Sequence, residues 1–291
     1  MRKTFLLFLA LGFSTLLHAQ INMVINGGKP VKYEDLDKGM LRVFYEKASV
    51  KDSLKPEKSR EIDYLALEIG ETGVSRFYSD NRRVQDSILS ELVKINPQRI
   101  DMTQAKKDRG LTSGGDPQEI YKNYPAGKMT VTDHIASSAY LYEEPLNEMQ
   151  WQMTTDTMTI LSYLCQKATA SFRGRQYEAW FAPELPVSDG PWKFTGLPGL
   201  ILAVEEAAHH YSFKAIGLET VTSPVRFVKK DYIKTNRKEL AKIQRRFVED
   251  PMGFITNSMP GTNVKIKILD ENGVEKDASE MKFPYNPIEL E

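Results

Sequence analysis

Hydrolytic chemistry needs a nucleophile, a base to deprotonate it and a group to orient that base. Beyond residue 19 the chain offers three histidines, His134, His209 and His210, and one cysteine, Cys165. No Gly-x-Ser-x-Gly stretch occurs, so the hydrolase nucleophile elbow is absent. His209 and His210 are adjacent. On a strand they would point to opposite faces, the wrong geometry for a chelating pair. With Glu205 and Glu206 nearby they are weak candidates for a metal site, against the plainer reading of a solvated turn. No His-Glu-x-x-His or Cys-x-x-Cys motif supports metal. Gly114-Gly115 lacks the Lys-Ser/Thr of a phosphate-cradling loop and follows no strand, so it reads as ordinary loop. No catalytic residue and no cofactor is expected. Cys165 reads as a small buried apolar residue on a strand; the sharper alternative is a reactive thiol or an intermolecular bridge.

A cluster of aromatic residues is the better lead. From Trp180 to Leu202 the chain holds four prolines, three glycines and four aromatic residues between two strand-like runs. That is too apolar for an ordinary surface loop. The candidate binding residues are Trp180, Phe181, Pro191, Trp192, Phe194, Gly196, Pro198 and Gly199. Gly196 and Gly199 suit positive φ or a close backbone approach. Two readings stand side by side. The loop lines an apolar pocket or presents a rim to a partner, or it caps the open end of a β core with its own side chains. Its prolines, at 183, 186, 191 and 198, favour a stiff loop over a mobile one.

The elements that must position this loop are mostly strands. Period-two runs predict strands over 41–47, 61–69, 74–79, 129–135, 138–143, 151–154, 159–169, 176–181, 200–205 and 211–221. The run 159–169 is apolar on both faces, which suits a central strand. Cys165 and Trp180 are placed in one hairpin across Gly174. Residues 20–40 and 97–128 read as irregular or loop. Helical spacing predicts helices over 81–95, with Asp80 or Asn81 as cap, and over 232–248, stopped by Asp250-Pro251. The segment Phe283–Glu291, with two prolines, reads as an extended tail docked on the body. The expected fold class is α+β: a mainly antiparallel, curved, half-barrel-like β-sheet with two or more packed helices.

The chain opens with Arg2 and Lys3, a nearly continuous apolar run over 4–17, and small Ala19 before Gln20. This predicts an export signal over residues 1–19, cut after Ala19, and a single domain over 20–291. The apolar run is shorter than the ~20 residues a spanning helix needs, and no later stretch reaches that length. The whole chain has 39 basic and 39 acidic residues. Loss of Arg2 and Lys3 leaves a net charge of about −2, with no long-range pull on nucleic acid. One cysteine allows no internal disulfide.

Gly196-Leu197-Pro198-Gly199-Leu200-Ile201 spells the hexapeptide of the GLPGLI family. It follows Tyr163-Leu164-Cys165-Gln166-Lys167-Ala168, Phe172-Arg173-Gly174-Arg175, Ala179-Trp180-Phe181 and Gly190-Pro191-Trp192-Lys193-Phe194 in that family's order. Tyr285-Asn286-Pro287-Ile288-Glu289-Leu290 resembles the family's carboxyl end. The chain therefore resembles exported proteins of Bacteroidetes-type bacteria. The resemblance implies a periplasmic or cell-envelope location, and it brings no established activity and no catalytic residue. A looser likeness of the Tyr-x-Cys-x-Lys-Ala stretch and its Trp strand is to envelope domains of curved antiparallel sheet, such as lipoprotein carriers. The functional expectation is an uncharacterised exported envelope protein, non-catalytic, that binds an apolar small molecule or an outer-membrane transport protein. The alternatives are an enzyme with an unrecognised site and a metal-handling envelope protein.

Overall fold

Alternation at period two builds one large sheet from its middle outward. The computed structural model describes residues 17–20, 32–95, 105, 108–109, 115–146, 149–258, 267–270, 275–276 and 283–290. In chain order the strands are β1 (Leu17–Gln20), β2 (Lys32–Asp37), β3 (Gly39–Val50), β4 (Arg60–Gly70), β5 (Ser75–Ser79), β6 (Glu119–Lys122), β7 (Lys128–Ile135), β8 (Ser138–Pro145), β9 (Gln152–Ile160) and β10 (Tyr163–Phe172). They continue with β11 (Arg175–Ala182), β12 (Leu200–Glu206), β13 (Tyr211–Thr220), β14 (Val225–Lys229), β15 (Ile233–Lys234), β16 (Lys267–Asp270) and β17 (Glu275–Lys276). The helices are α1 (Asp80–Ile95), α2 (Arg237–Glu249) and α3 (Pro251–Ser258). The protein is thus mostly β, with helices added at the sides of the sheet.

Twelve strands pair in the order β15-β8-β7-β6-β5-β4-β3-β13-β12-β11-β10-β9, and the end strands do not pair with each other. All contacts are antiparallel except the two-residue pairing of β15 with β8. The registers carry one apolar row across the inner face: Val43 opposite Leu67, Leu67 opposite Phe77, Phe77 opposite Ile120, Ile120 opposite Val131 and Val131 opposite Tyr142. The register slips where β3 meets β13, β11 meets β12 and β10 meets β9. Such bulges add local bend and twist to a strand. The sheet curls far enough for Met129 of β7 and Phe172 of β10, distant in strand order, to line one small hollow. An ion pair of 3.6 Å between Glu144 of β8 and Arg173, at the β10–β11 turn, spans the same gap.

The outer face of the sheet's centre is not bare. Arg42–Glu68 and Arg76–Glu119 form two ion pairs, at 2.8 and 2.9 Å, across β3 to β6, with Glu68 opposite Arg76 in register. The β2–β14 ribbon lies over this region, with Phe227 edge-on to Tyr121 at 4.8 Å and Val225 fully buried. That second layer explains why β4 buries both of its faces. A small sheet of β1, β16 and β17 stands apart. Strand β1 spans the position of the expected cut after Ala19. Residues 1–16 of the expected export signal lie outside the described residues, as do residues 110–114 of the Gly-Gly loop.

Several boundaries differ from the sequence reading, each for a local reason. The stretches 151–154 and 159–169 are not two separate strands with a break near 155. Instead β9 runs unbroken to Ile160 and the turn falls on Leu161-Ser162, with φ of 48° and 71°. Two successive left-handed residues make the tight turn that matches strand twist, but Leu-Ser lacks the Asn-Gly chemistry that would announce it. Nor is β10 central: it lies next to the free edge, and Leu164 is exposed. Residues 20–40 contain β2, and 97–128 contains β6. The predicted helix over 232–248 starts at Arg237, because Asn236 Oδ1 accepts the Glu239 amide at 3.0 Å. Ile233, within the predicted helix, is instead exposed on β15. Helix α1 is capped by Ser79, whose Oγ accepts the Arg82 amide at 3.0 Å, rather than by Asp80 or Asn81. Pro251 ends α2 and opens α3, and Asp250 Oδ1 accepts the Gly253 amide at 2.8 Å.

Cys165 lies on β10 with no exposed surface, opposite Met158 of β9, and burial pushes its thiol above its ordinary range. Thiolate is the reactive form. Timed labelling with a thiol-reactive dye should therefore be at least about 100-fold slower in the native protein than in denaturant. Equal rates would show that the thiol is open to solvent.

Candidate functional site

The stretch between β11 and β12 does not arch away from the sheet. It turns inward and fills the curl. Trp192, Phe194 and Leu197 are buried, and Phe194 has no exposed surface. Its ring meets Tyr177 at 4.9 Å, Trp192 at 5.1 Å, Phe213 at 6.0 Å and Trp151 at 6.3 Å, and Phe213 continues edge-on to Phe77 and Tyr45. Full burial of a side chain of this size is worth roughly 2–3 kcal/mol. The Tyr45 hydroxyl donates to the Ile201 carbonyl at 2.7 Å, and Trp151 Nε1 donates to the Thr195 carbonyl at 2.7 Å. Backbone bonds from Leu200 to Leu185 and from Ile201 to Asp189 close the loop on itself.

Two buried lysines fix this plug to the sheet, at register positions on either side of Met129. Lys122 of β6 meets Asp189 of the plug at 2.5 Å and also donates to the Gly190 carbonyl. Burial pulls the Lys122 ammonium below its ordinary value, and Asp189 offsets this only in part. Lys193 of the plug reaches Glu144 of β8 at 2.6 Å, Glu289 at 2.8 Å and the Tyr142 hydroxyl at 2.9 Å. Burial opposes its charge too, but Tyr142, Glu289 and Glu144 outweigh it and hold the ammonium above its usual range. The hollow beside Lys193, lined by Met129, Glu144, Met149 and Phe172, has room for about one water.

The sequence-nominated residues divide accordingly. Phe181, Pro191, Trp192, Phe194 and Gly199 are buried in the plug and its walls, whereas Gly196 and Pro198 are exposed. Trp180 is half-buried on the other face of β11, with the Lys167 ammonium 5.8 Å from its ring centre. The two glycines serve different needs. Gly196 sits at φ 91°. Gly199 passes so close to β11 that a Cβ would stand 2.7 Å from the Ala182 carbonyl carbon. His209 and His210 fall on the turn between β12 and β13. His209 Nδ1 meets Glu205 at 2.5 Å, and the His210 amide donates to Glu206 at 3.0 Å. Among the described residues no group of three metal-ligating side chains forms.

Sequence reasoning missed a polar layer at one end of the curl. Lys47 of β3 meets Asp116 at 2.5 Å. Asp63 of β4 accepts the Asp116 amide at 2.9 Å and the Ser79 hydroxyl at 3.0 Å. Asp133 of β7 is buried with no cation at hydrogen-bond distance among the described residues. It accepts Gln244 of α2 at 2.9 Å and the His134 amide at 2.6 Å. Burial, then the charge of Asp116, pushes its carboxyl up to about 7. The Lys47 ion pair more than offsets burial at Asp116 and holds that carboxyl low, while burial raises Asp63. Next door, burial and the cations Lys230 and Arg82 push His134 down to about 4; its Nε2 lies 2.9 Å from Lys230 Nζ. A buried, half-protonated carboxyl is a group that can exchange a proton near neutrality. Its only sequence signal was an Asp on the inward parity of β7.

The comparisons with known proteins name no activity for this chain. Among solved structures, two described as PNGF-II, in the P21 and C2 space groups, are weakly similar to this chain, with TM-scores of 0.47 and 0.44 and identities of 10% and 12%. Each alignment covers 70% of this chain and 32% of the other, so this chain spans about a third of the structures it matches. A family model described as a protein of unknown function (Porph_ging) matches residues 172–203, which is the plug with its two flanking strands. No curated protein matches the chain. No helix among the described residues is long and apolar enough to cross a membrane.

The raised Asp133 carboxyl fixes the sign of a pH effect. The folded state holds this proton up to about pH 7, whereas an unfolded Asp loses it near 4. The native state therefore binds more protons between those values, and stability falls as pH rises through that window. His134 acts in the opposite direction over about pH 4–6.5. Comparison with Asp133→Asn isolates the carboxyl: urea unfolding should show the variant gaining roughly 2 kcal/mol on wild type between pH 5 and pH 8. A pH-independent difference would mean that Asp133 titrates normally.

Proposed function

We propose that this chain is an exported, non-catalytic envelope protein of the GLPGLI type. In this reading it is cut after Ala19, forms a single half-barrel-like domain over residues 20–291, and engages a periplasmic or outer-membrane protein partner. The hexapeptide at 196–201 and the family match over 172–203 support the kinship. An apolar small molecule is the weaker ligand, because the plug already fills the concavity where it would sit.

The observation that carries the partner reading is β9. It is nine residues long, ends the twelve-stranded sheet and is exposed over nearly its whole length, with Met153 59% and Met158 43% accessible. Its sequence, Gln-Met-Thr-Thr-Asp-Thr-Met-Thr-Ile, holds no Pro and no Lys, the residues that usually blunt an edge. An edge strand of this kind accepts a partner's strand through main-chain hydrogen bonds. A second reading, an enzyme with an unrecognised site, is favoured by Asp133 alone: a buried acid able to trade a proton near neutrality, beside Asp116 and Lys47.

Cross-linking in intact envelopes, with adducts mapped by mass spectrometry, tests the reading. The wild-type protein should begin at Gln20 and cross-link through β9 to one partner. Met153→Lys with Thr157→Lys should reduce that adduct at least about tenfold with unchanged melting temperature. Cross-links that avoid β9, or that the double variant leaves unchanged, would contradict it.

A further inference from the structure

The carboxyl-terminal segment 283–290 lies on the body as an extended strap running from Val50 to Arg173, and its two sides are unlike. On the body side the receiving groups are buried and braced. The Arg175 side chain is 4% exposed, lies 3.4 Å from Glu206, and stacks over the Tyr211 ring at 5.1 Å. Tyr177, Tyr211 and Lys193 are buried as well. On the strap side no residue is buried, and Leu290 is exposed.

The contacts across this boundary read the strap as a sequence. Arg175 donates to the Asn286 side-chain oxygen at 2.8 Å, the Pro287 carbonyl at 2.6 Å and the Ile288 carbonyl at 3.1 Å. Asn286 returns its amide to the Val50 carbonyl at 2.8 Å, so both ends of that side chain are satisfied. The Tyr211 hydroxyl donates to the Asn286 carbonyl, and the Tyr177 hydroxyl to the Ile288 carbonyl at 3.3 Å. Lys193 takes Glu289 at 2.8 Å, and the Leu290 amide donates to the Arg173 carbonyl at 2.9 Å. Pro287 has no amide to satisfy and restricts the segment to extended geometry.

From this we infer that the groove formed by Val50, Arg173, Arg175, Tyr177, Lys193 and Tyr211 is a peptide-binding site. Its ligand class is an extended Asn-Pro-x-Glu peptide, of which residues 286–289 are the resident copy. A pre-braced receptor facing a half-exposed ligand is the arrangement of a recognition interface, where rigidity on one side lowers the cost of binding. The arginine fork and the doubly bonded asparagine supply specificity, since either loss leaves buried polar atoms unpaired. The inference is distinct from the β9 reading, which concerns the open main chain of the edge strand two positions from β11.

The full chain, carrying a protease site inserted between residues 277 and 282 and cut after folding, provides the test. The released carboxyl-terminal fragment should remain bound through gel filtration and exchange with a fluorescent Phe-Pro-Tyr-Asn-Pro-Ile-Glu-Leu-Glu peptide. A peptide with alanine for Asn286 should compete at least about tenfold less well, and Arg175→Lys in the body should weaken binding similarly. A scrambled peptide should not compete. In the uncut chain, the Leu290 amide should exchange hydrogen at least about 100-fold faster than the Phe194 amide, because the strap detaches while the plug stays. A fragment that never exchanges, a near-ultraviolet circular dichroism spectrum lost on its release, or equal protection of the two amides would make the strap part of the core and overturn the inference.

Discussion

The Lys122–Asp189 pair is the constraint on which the rest of the molecule depends. A curved sheet with an apolar inner face has to cover that face, and here the cover is its own chain. Burying a lysine and an aspartate at 2.5 Å separation adds little net stability, because desolvation cancels most of the attraction. It does select one arrangement. An apolar loop alone could settle on the inner face in several registers, whereas a loop that must bring Asp189 to Lys122 and Lys193 to Glu144 has one. The aromatic rings then pack around Phe194 in the position that the two ion pairs define.

That arrangement separates the molecule into three zones with different capacities. The centre is a dry aromatic core. The end near β8 is locked by Lys193, which ties sheet, plug and strap together through Glu144 and Glu289. The other end carries Lys47, Asp63, Asp116 and Asp133, one cation among three carboxyls, with Lys47 paired to Asp116 and Asp133 held by Gln244 of helix α2. Burial disfavours the charged form of a carboxyl in such a place, and the hydrogen bond from Gln244 makes the seating of α2 sensitive to its proton. The outer surface is different again: a charge ladder roofed by β2 and β14 in the middle, and an open strand at the edge.

Much of the sheet was legible because period-two alternation survives wherever one face is buried and the other is wet. Strand β13 and much of β3 obey that rule, whereas β4, β5 and β7 are buried on both faces and show themselves by their apolar residues. The strands β2 and β6 escaped because they are short and rich in charge; β2 has no buried residue, and β6 owes its burial to the ribbon and the plug. The turn at Leu161-Ser162 carries no glycine or asparagine to mark it. Of the site, Trp192 and Phe194 could be singled out by composition, and the hexapeptide glycines by their neighbours. The residues that position them could not. Lys122 and Asp189 are 67 positions apart, and neither stands out among 78 charged residues, 39 of each sign. Asp133 looks like any aspartate in a strand until β8, α2 and Asp116 surround it.

The central claim is that residues 183–199 belong to the core and do not form a lid over a cavity. Native-state hydrogen exchange of the Phe194, Leu200 and Ile201 amides tests it most directly, since each is bonded within the plug. Exchange that follows global unfolding, with the same denaturant dependence as amides in β3 and β4, is the result expected of a core element. Faster exchange with no denaturant dependence would mean that the plug opens while the sheet remains folded, and would contradict the account.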